Sequence, residues 1–473
     1  MSVPQIPALR RGQPYTSLDK TDIKNVRTGE IVAQVSQVNA GVIKRDLRRS
    51  TRDCLKNIPI AQLLEISRKA GDLFMEGTLP LDGETTQSPQ DYIESLSASS
   101  GLPHSLIQRN MGKIYQVFTE MPTILRGLTR GMDLSVIDNG TGEQSGVPVS
   151  YFPLTQELGV VLPSNSPGVN SLWMPAIPLK IPVVLKPGRE EPWTPFRIIQ
   201  AFIAAGCPPE AFSFYPTDHE GSATILQTCQ RGLVFGDAKT VDRYASNPGI
   251  QVHGPGFSKI VIGKDKIANW RDYLDVIVGS IVENGGRSCI NASAVLVPSH
   301  ASEIAEALAE RLAAVHPTVH TDPKATLSGF ANPQMAEYID ATLDADLQTP
   351  GATDVTAKYR TEARKVLLEG STYLLPTLVH CRNMEHPLAN REFLFPYASI
   401  VEVPQEQIPD KMGPSLVVTA ITEDKDFIQA LIDSPHVERL NIGAIATMRV
   451  QWDQPHEGNL FEFLYRRRAI QWA

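Results

Sequence analysis

Apolar residues change their spacing several times along the chain, and each change marks a different kind of element. From Asn39 to about Arg130 the period is helical: Ile60, Leu63 and Leu64 stand at i, i+3 and i+4, and Ile114, Val117 and Phe118 repeat that spacing. The first ~35 residues are polar and irregular, with Pro and Gly scattered through them, and read as an arm. From Asp133 to Leu154 the text is LSVID, a polar stretch NGTGEQSG and then VPVSYFPL, which predicts a β-hairpin with a long loop.

From Leu158 short apolar runs alternate with helical segments. GVVLP, PVVLK, FSFYP and GLVFG read as strands. The segment after Gly168, TPFRIIQAFIAAG (ending at Gly206), HEGSATILQTC and DAKTVDRYAS read as helices. Repeated βα units predict an open, mostly parallel sheet with helices on both faces, and such sheets bind nucleotides at the carboxyl ends of their strands. A second α/β region follows. Its helix from Ser302 aligns Ile304, Leu308 and Leu312 on one face, its strands are KVLLEG, SIVEVP and SLVVTAIT, and a helix runs from about Lys425 to Ile432. The tail from Leu440 to Ala473 holds two more strand-like pieces and the basic cluster Arg466, Arg467 and Arg468. No repeat or low-complexity stretch interrupts this order.

Composition narrows the class. A length of 473 residues suggests roughly three domains at about 150 residues each. An apolar fraction of 42% with 20% charged residues excludes a disordered chain. A formal charge of −8 argues against a nucleic-acid partner. Five cysteines, an odd number without C-x-x-C or finger-like spacing, read as a reduced, cytoplasmic chain with no metal site. The start lacks the apolar core of a signal peptide, and no run of 18 apolar residues spans a membrane. The sequons at Asn139 and Asn291 would matter only in a secreted protein.

Three stretches carry candidate chemistry. In Glu283-Asn284-Gly285-Gly286-Arg287-Ser288-Cys289-Ile290-Asn291 a helical run breaks at two glycines just before a cysteine. Backbone N–H groups there could hold an oxyanion and favour a nucleophilic thiolate, or Cys289 could be a small core residue. Asn165, in Pro163-Ser164-Asn165-Ser166-Pro167, stands just past a strand end, where its amide could donate to an oxyanion or simply form a turn. Lys186, before Pro187-Gly188, ends a strand and could bond a ribose hydroxyl or stay solvated.

In this order on a βα array, the three resemble the aldehyde dehydrogenase superfamily. Pro163-Ser164-Asn165 is similar to its proline–aromatic–Asn motif, Leu185-Lys186-Pro187 to its strand ending Lys-Pro-Ser, and Gly286-Arg287-Ser288-Cys289 to its Gly-Gln-x-Cys. Asn390-Arg391-Glu392-Phe393-Leu394-Phe395-Pro396 resembles Glu-Glu-x-Phe-Gly-Pro, and Val234-Phe235-Gly236-Asp237 resembles the Phe-Thr-Gly-Ser before a cofactor-facing helix. The resemblance covers about Leu158 to Pro404, and the flanks by layout only. It implies an α/β fold of two doubly wound domains with a small β oligomerisation element. The expected cofactor domain is 1–130 plus 155–262, the catalytic domain 263–438, and the oligomerisation element 131–154 plus 439–473. It also implies a homodimer or homotetramer. Cys289 is then the nucleophile that forms a thiohemiacetal and a thioester. Asn165 and the Cys289 N–H hold the oxyanion, and Pro163, Lys186, Gly236 and Glu392 contact a nicotinamide dinucleotide.

The departures matter as much. His253, in Val252-His253-Gly254-Pro255-Gly256, occupies the place of the family's hydrolytic glutamate. Members without that glutamate tend to pass the acyl group to or from coenzyme A, so the departure favours an acyl-CoA reductase with coenzyme A as co-substrate. Alternatively His253 or Glu283 is the base of a hydrolytic enzyme, His253 is merely a strand-end residue, or the chain is a nucleotide-binding pseudoenzyme. Asp237 replaces a serine beside the cofactor pyrophosphate, where a carboxylate is unfavourable unless turned away. Arg189 leans the cofactor toward NADP(H) over NAD(H), with Glu190 and Glu191 following at once.

The remaining clusters point elsewhere or nowhere. His316 and His320 are separated by Pro317, which speaks against a helical metal pair. Arg45, Arg48, Arg49, Arg52 and Lys56 fall at helical spacing and read as a solvated face, with an acidic partner or the coenzyme A phosphates as alternatives. Trp452 to Asn459 is rich in polar and aromatic types and has no assignment. In the superfamily's layout it lies near the substrate mouth or the subunit contact.

Overall fold

In a computed structural model, residues 3–48, 52–455 and 457–471 are described. Two compact units emerge: Met1–Ser99, Ile107–Gly254 and Gln451–Ala473 form the first, and Ser100–Leu106 with Pro255–Val450 form the second.

The first unit is built on a seven-stranded sheet in the order Ile250–His253, Arg231–Phe235, Leu158–Val161, Val183–Lys186, Phe212–Phe214, Ala8–Arg10, Gln13–Tyr15. The first five are parallel and the last two antiparallel. The chain leaves Leu158–Val161 in one direction and later returns to its other side at Arg231–Phe235. A crevice therefore opens at the carboxyl ends of these two strands, where the connections diverge. The helices read from the sequence are present as Trp193–Ala204, His219–Thr228 and Ala238–Tyr244, while the segment after Gly168 is a 3-10 turn, Pro167–Leu172. Helix Ile60–Glu76 buries Ile60, Leu63, Ile66, Ala70 and Phe74, one apolar stripe at helical period.

Several expectations are corrected here. The N-terminal arm contains five short strands, two of which extend the main sheet. Pieces of two to six residues are too short to show a period. LSVID is not a strand: Ser135–Asn139 is a helix ended by Gly140 in the left-handed conformation (φ 72°). The hairpin is Thr141–Gln144 with Val147–Pro153, and its loop is only Ser145-Gly146, both at positive φ. Strand Tyr465–Arg468 adds to its other side. The basic face is not one helix, because Ala40–Asp46 and Asp53–Lys56 are separate; Arg49 lies outside the described residues.

The second unit holds another seven-stranded sheet: Ala352–Asp354, Thr377–Cys381, Tyr397–Glu402, Ala292–Val297, Ser258–Ile262, Ser415–Ile421, Val437–Ile442. All pairs are parallel except the first. Side chains alternate between two faces, and here both faces are covered. Ile260, Val295, Ile400 and Ile421 pack on one side with helices Leu274–Val282 and Ala301–Ala313. Val261, Leu296, Val401 and Val418 pack on the other with Pro333–Leu347 and Lys425–Asp433. Ile304, Leu308 and Leu312 are fully buried, each contributing about 1.5–3 kcal/mol. The boundary between the units falls at 254/255 rather than after 262, since Ser258–Ile262 is an interior strand of the second sheet. Likewise Val437–Ile442 is that sheet's edge, so only the chain from 451 returns to the first unit.

Candidate active-site residues

In the second unit the backbone turns sharply before the cysteine. Asn284, Gly285 and Gly286 have φ of 56°, 65° and 67°, three successive left-handed residues. Gly286 must be glycine twice over, because a Cβ would also overlap the Phe395–Pro396 backbone. Asn291 then ties the loop down: its Oδ1 accepts from Ser288 N at 2.9 Å, and its Nδ2 donates to Glu283 O at 2.9 Å and Ser280 O at 3.0 Å. Asn284 Nδ2 donates to Ser288 Oγ at 2.9 Å, and Arg287 Nη1 donates to Ser100 O at 3.0 Å. Arg287, in the place of a glutamine, is thus a brace for the loop. Cys289 is left half-buried against Ile290, Val417 and Met448.

The other thiols are poor nucleophiles. Burial pushes Cys54 and Cys381 up to about 12, and pushes Cys207 and Cys229 up as well. One neighbour of Cys289 and one of Glu392 escaped the sequence reading. Arg439, on the strand paired with Ser415–Ile421, has its guanidinium pushed down by burial, and the Cys289 side chain opposes that shift. A cation in that relation favours the thiolate. Lys259 is buried, donates to Phe257 O at 2.6 Å and Ser415 Oγ at 3.0 Å, and is pushed down to about 7 by burial.

Glu392 sits beside this lysine. Its carboxylate accepts from Phe257 N at 2.6 Å and Gly256 N at 3.2 Å. Burial pushes it up to about 7, while the two N–H donors and Lys259 pull the other way. Lys259 gives a stability prediction. Between about 7 and 10.5 the unfolded chain holds a proton there that the folded unit has released. The cost of the buried ammonium is therefore full below pH 7 and fades as pH rises, so stability climbs through that window by a few kcal/mol. Glu392 acts oppositely, lowering stability as pH rises from 4.5 to about 7. Urea unfolding should show the alkaline climb in the parent and a flatter profile in Lys259→Met.

In the first unit the candidate residues share the carboxyl end of one sheet. Val161 pairs with both Lys186 and Val234, and Phe235 pairs with His253. Asn165 and Pro163 follow the central strand and are half-buried. Ser166 caps the next turn through Gly168 N at 3.3 Å. Gly188 lets the loop after Lys186 lie against Pro163 and Ser164, since a Cβ would overlap the Pro163 carbonyl. Ser164 Oγ accepts from Glu190 N at 3.3 Å, a role an aromatic residue could not fill. Lys186 is half-buried, pushed down by burial with Glu190 opposing, and Arg189 is exposed.

Asp237 is turned into its own helix. It caps Ala238–Tyr244, accepting from Thr240 N and Thr240 Oγ1 at 3.0 Å each, and these bonds hold its carboxyl below the usual range. Gly236 N donates to His253 O at 3.1 Å, and a Cβ on Gly236 would strike Thr240. His253 is 6% exposed and stacks on Phe235 with centroids 4.6 Å apart. Its Nδ1 lies 2.5 Å from Glu457 Oε2. Glu457 comes from the unassigned Trp452–Asn459 stretch, in which His456 lies outside the described residues. Among the described residues no group of three or more His, Cys, Asp or Glu could hold a metal, and no helix is long and apolar enough to cross a membrane.

A family model described as the aldehyde dehydrogenase family matches residues 19–408. Solved structures share the fold at low identity. An indole-3-acetaldehyde dehydrogenase complexed with NAD+ has a TM-score of 0.81 at 16% identity, covering 99% of this chain and 96% of that one. The aldehyde dehydrogenase KauB of Pseudomonas aeruginosa gives 0.80 at 15%, covering 99% and 97%. A 3,6-anhydro-L-galactose dehydrogenase gives 0.76 at 13%, covering 99% and 100%. No curated protein matches the chain.

Proposed function

The chain belongs to the aldehyde dehydrogenase family, and from that premise we propose that it is an NAD(P)-dependent oxidoreductase converting an aldehyde to an acyl thioester on Cys289. The supporting observation is the Cys289 loop: three left-handed residues and the Asn291 braces hold one half-buried thiol, while burial disqualifies the other four.

Cys289 Sγ attacks the aldehyde carbonyl carbon, helped by the Arg439 cation. Asn165 Nδ2 and the Cys289 N–H donate to the oxygen as it gains charge. Lys186, Pro163 and Gly236 would hold the dinucleotide at the strand ends, with Arg189 near its adenosine ribose and Glu392 on its nicotinamide ribose. The parallel sheet suits it. The Asp237 carboxylate already accepts from Thr240 N in the first turn of helix Ala238–Tyr244, so that helix offers the pyrophosphate little. When bound, the cofactor accepts the hydride. NAD+ complexes among the structural neighbours favour NAD(H), and Arg189 keeps NADP(H) in play.

Two acceptors can then take the acyl group. The missing glutamate favours coenzyme A, which makes the reverse reaction an acyl-CoA reduction. The His253–Glu457 contact favours water. Absorbance at the nicotinamide band, with aldehydes and NAD(P)+ in the presence and absence of coenzyme A, separates them: turnover only with coenzyme A identifies the acylating enzyme. Silence with every aldehyde and every acyl-CoA overturns the proposal. The exposed edge of Thr141–Gln144 supports this hairpin as the subunit-joining element of a dimer or tetramer, which sedimentation tests.

A further inference from the structure

We propose that the first unit carries a second ligand site, an arginine-lined hollow that binds a small molecule through its phosphate group. The hollow is built from the N-terminal hairpin and helix Ala40–Asp46, and it stands independently of the chemistry at Cys289.

Its volume is about 600 Å³, which suits a small molecule rather than a flat protein surface. Arg10, Arg11, Arg45 and Arg48 line it. Asp46 is the one carboxylate among the described lining residues, and Tyr15 adds a ring to the wall. Its place in the sheet sets it apart from the candidate cofactor residues. Leu9 pairs with Phe214 in antiparallel sense, and Gly12 N donates to Phe212 O at 2.6 Å. From Leu9 to Gly12 the chain therefore runs toward the amino end of the parallel strands. Lys186 and His253 stand at the opposite, carboxyl end.

Three guanidiniums converge on Asp46. Arg10 grips its carboxylate with two bonds, Nε to Oδ2 and Nη2 to Oδ1, each 2.6 Å. Tyr215 Oη donates to the same Oδ2 at 3.2 Å, and Arg45 Nε lies 3.7 Å from Oδ1. Arg11 Nη2 donates to the Asp46 backbone carbonyl. It does so from a strained position: Arg11 and Gly12 are the two central residues of the hairpin turn, at φ 52° and 74°. Such a turn normally carries asparagine before the glycine, and a long side chain at positive φ is uncommon.

The charges do not balance. Four guanidiniums face one carboxylate, an excess of three positive charges in a chain whose net charge is −8. Arginine does not lose its proton in a protein, so titration cannot relieve the excess as it could for lysines. Capping the end of helix Ala40–Asp46 accounts for Arg11, and pairing with Asp46 accounts for Arg10. Neither role explains the exposed Arg45 and Arg48 on the same hollow. A carboxylate ligand would offset one charge. A phosphate ester carries about two, and its oxygens match the guanidinium forks. Phosphate is thus the group this hollow fits best.

Isothermal titration of the whole chain tests the proposal, with excess NAD+ present to occupy the cofactor site. The probes are inorganic pyrophosphate and coenzyme A, which carries a diphosphate and a phosphate ester. Pyrophosphate should bind once per chain, and more weakly as salt rises. Arg45→Gln and Arg48→Gln should each weaken it by about 10-fold or more. Both residues are exposed, so the urea midpoint should hold. Arg68→Gln, at an exposed arginine on helix Ile60–Glu76, should leave binding unchanged. Coenzyme A bound with the same sensitivity assigns the site to the phosphate of a metabolite; pyrophosphate alone assigns it to a free polyphosphate. No binding of either probe, binding untouched by both hollow substitutions, or an equal loss in Arg68→Gln overturns the proposal. So does an oligoglutamate peptide that binds where neither phosphate does, which would make the hollow a contact for an acidic protein. None of these readouts needs turnover, so failure here and failure of the Cys289 reading are distinguishable.

Discussion

Replacing Cys289 with alanine is expected to lower turnover by on the order of 10⁴-fold or more, since no covalent path remains. None of the other four thiols can take over, because burial raises them well out of the neutral range. The substitution removes one sulfur from a contact with Ile290, Val417 and Met448, so the loss of packing is small beside the loss of rate. The left-handed turn at 284–286 and the Asn291 braces do not involve the sulfur and should persist. Cofactor binding, followed by quenching of tryptophan fluorescence, should therefore survive, and thermal unfolding should move little. Residual turnover within tenfold of the parent would place the nucleophile elsewhere.

Gly256→Ala should be the most damaging small change away from the sulfur. A Cβ at 256 would overlap the carbonyl oxygen of Cys289 and come to 3.1 Å from its Cβ. The obstacle is backbone, which cannot rotate aside as a side chain would. The same residue donates its N–H to Glu392, and its carbonyl accepts from Leu416 N at 2.7 Å, so it cannot retreat without loosening both. The shift must fall partly on Cys289. A displacement approaching 1 Å at a reacting group can cost about 100-fold, and the overpacking itself about 1–3 kcal/mol of stability. Gly279→Ala is the control: it lies in helix Leu274–Val282 with nothing within 4 Å of its Cβ, and the added methyl should stabilise by about 0.4–1 kcal/mol. Measuring kcat/KM and urea midpoints for both variants separates strain at the cysteine from a general effect of alanine.

Much of the architecture was legible because it rests on period. Ile304, Leu308 and Leu312 announce one helix face, and they are fully buried. The alternating strands of both sheets likewise stand out as apolar runs of four to seven residues. What was not legible depends on short range or on long range. Ser135–Asn139 has strand-like composition and five residues, too few for a period, yet it is a helix that Gly140 ends. The Ser145-Gly146 turn hid inside a longer polar stretch. Cys289, Asn165, Lys186 and Glu392 could be named because local motifs surround them. Asn291 was visible only as a sequon, though its distance of two residues from Cys289 is the signal for a local brace. Glu457 lies 204 residues from His253, and no spacing rule connects a strand end to a loop returned from the far end of the chain. Lys259 and Arg439 were missed for the same reason: their meaning comes from burial beside other strands.

The most direct test of the central claim is to mix the protein with NAD(P)+ and an aldehyde, quench in acid within the first turnover, and map the modified peptide by mass spectrometry. The account predicts an acyl mass on the Cys289 peptide that requires the oxidised cofactor. No adduct on any peptide, or an adduct on a residue other than Cys289, would contradict it.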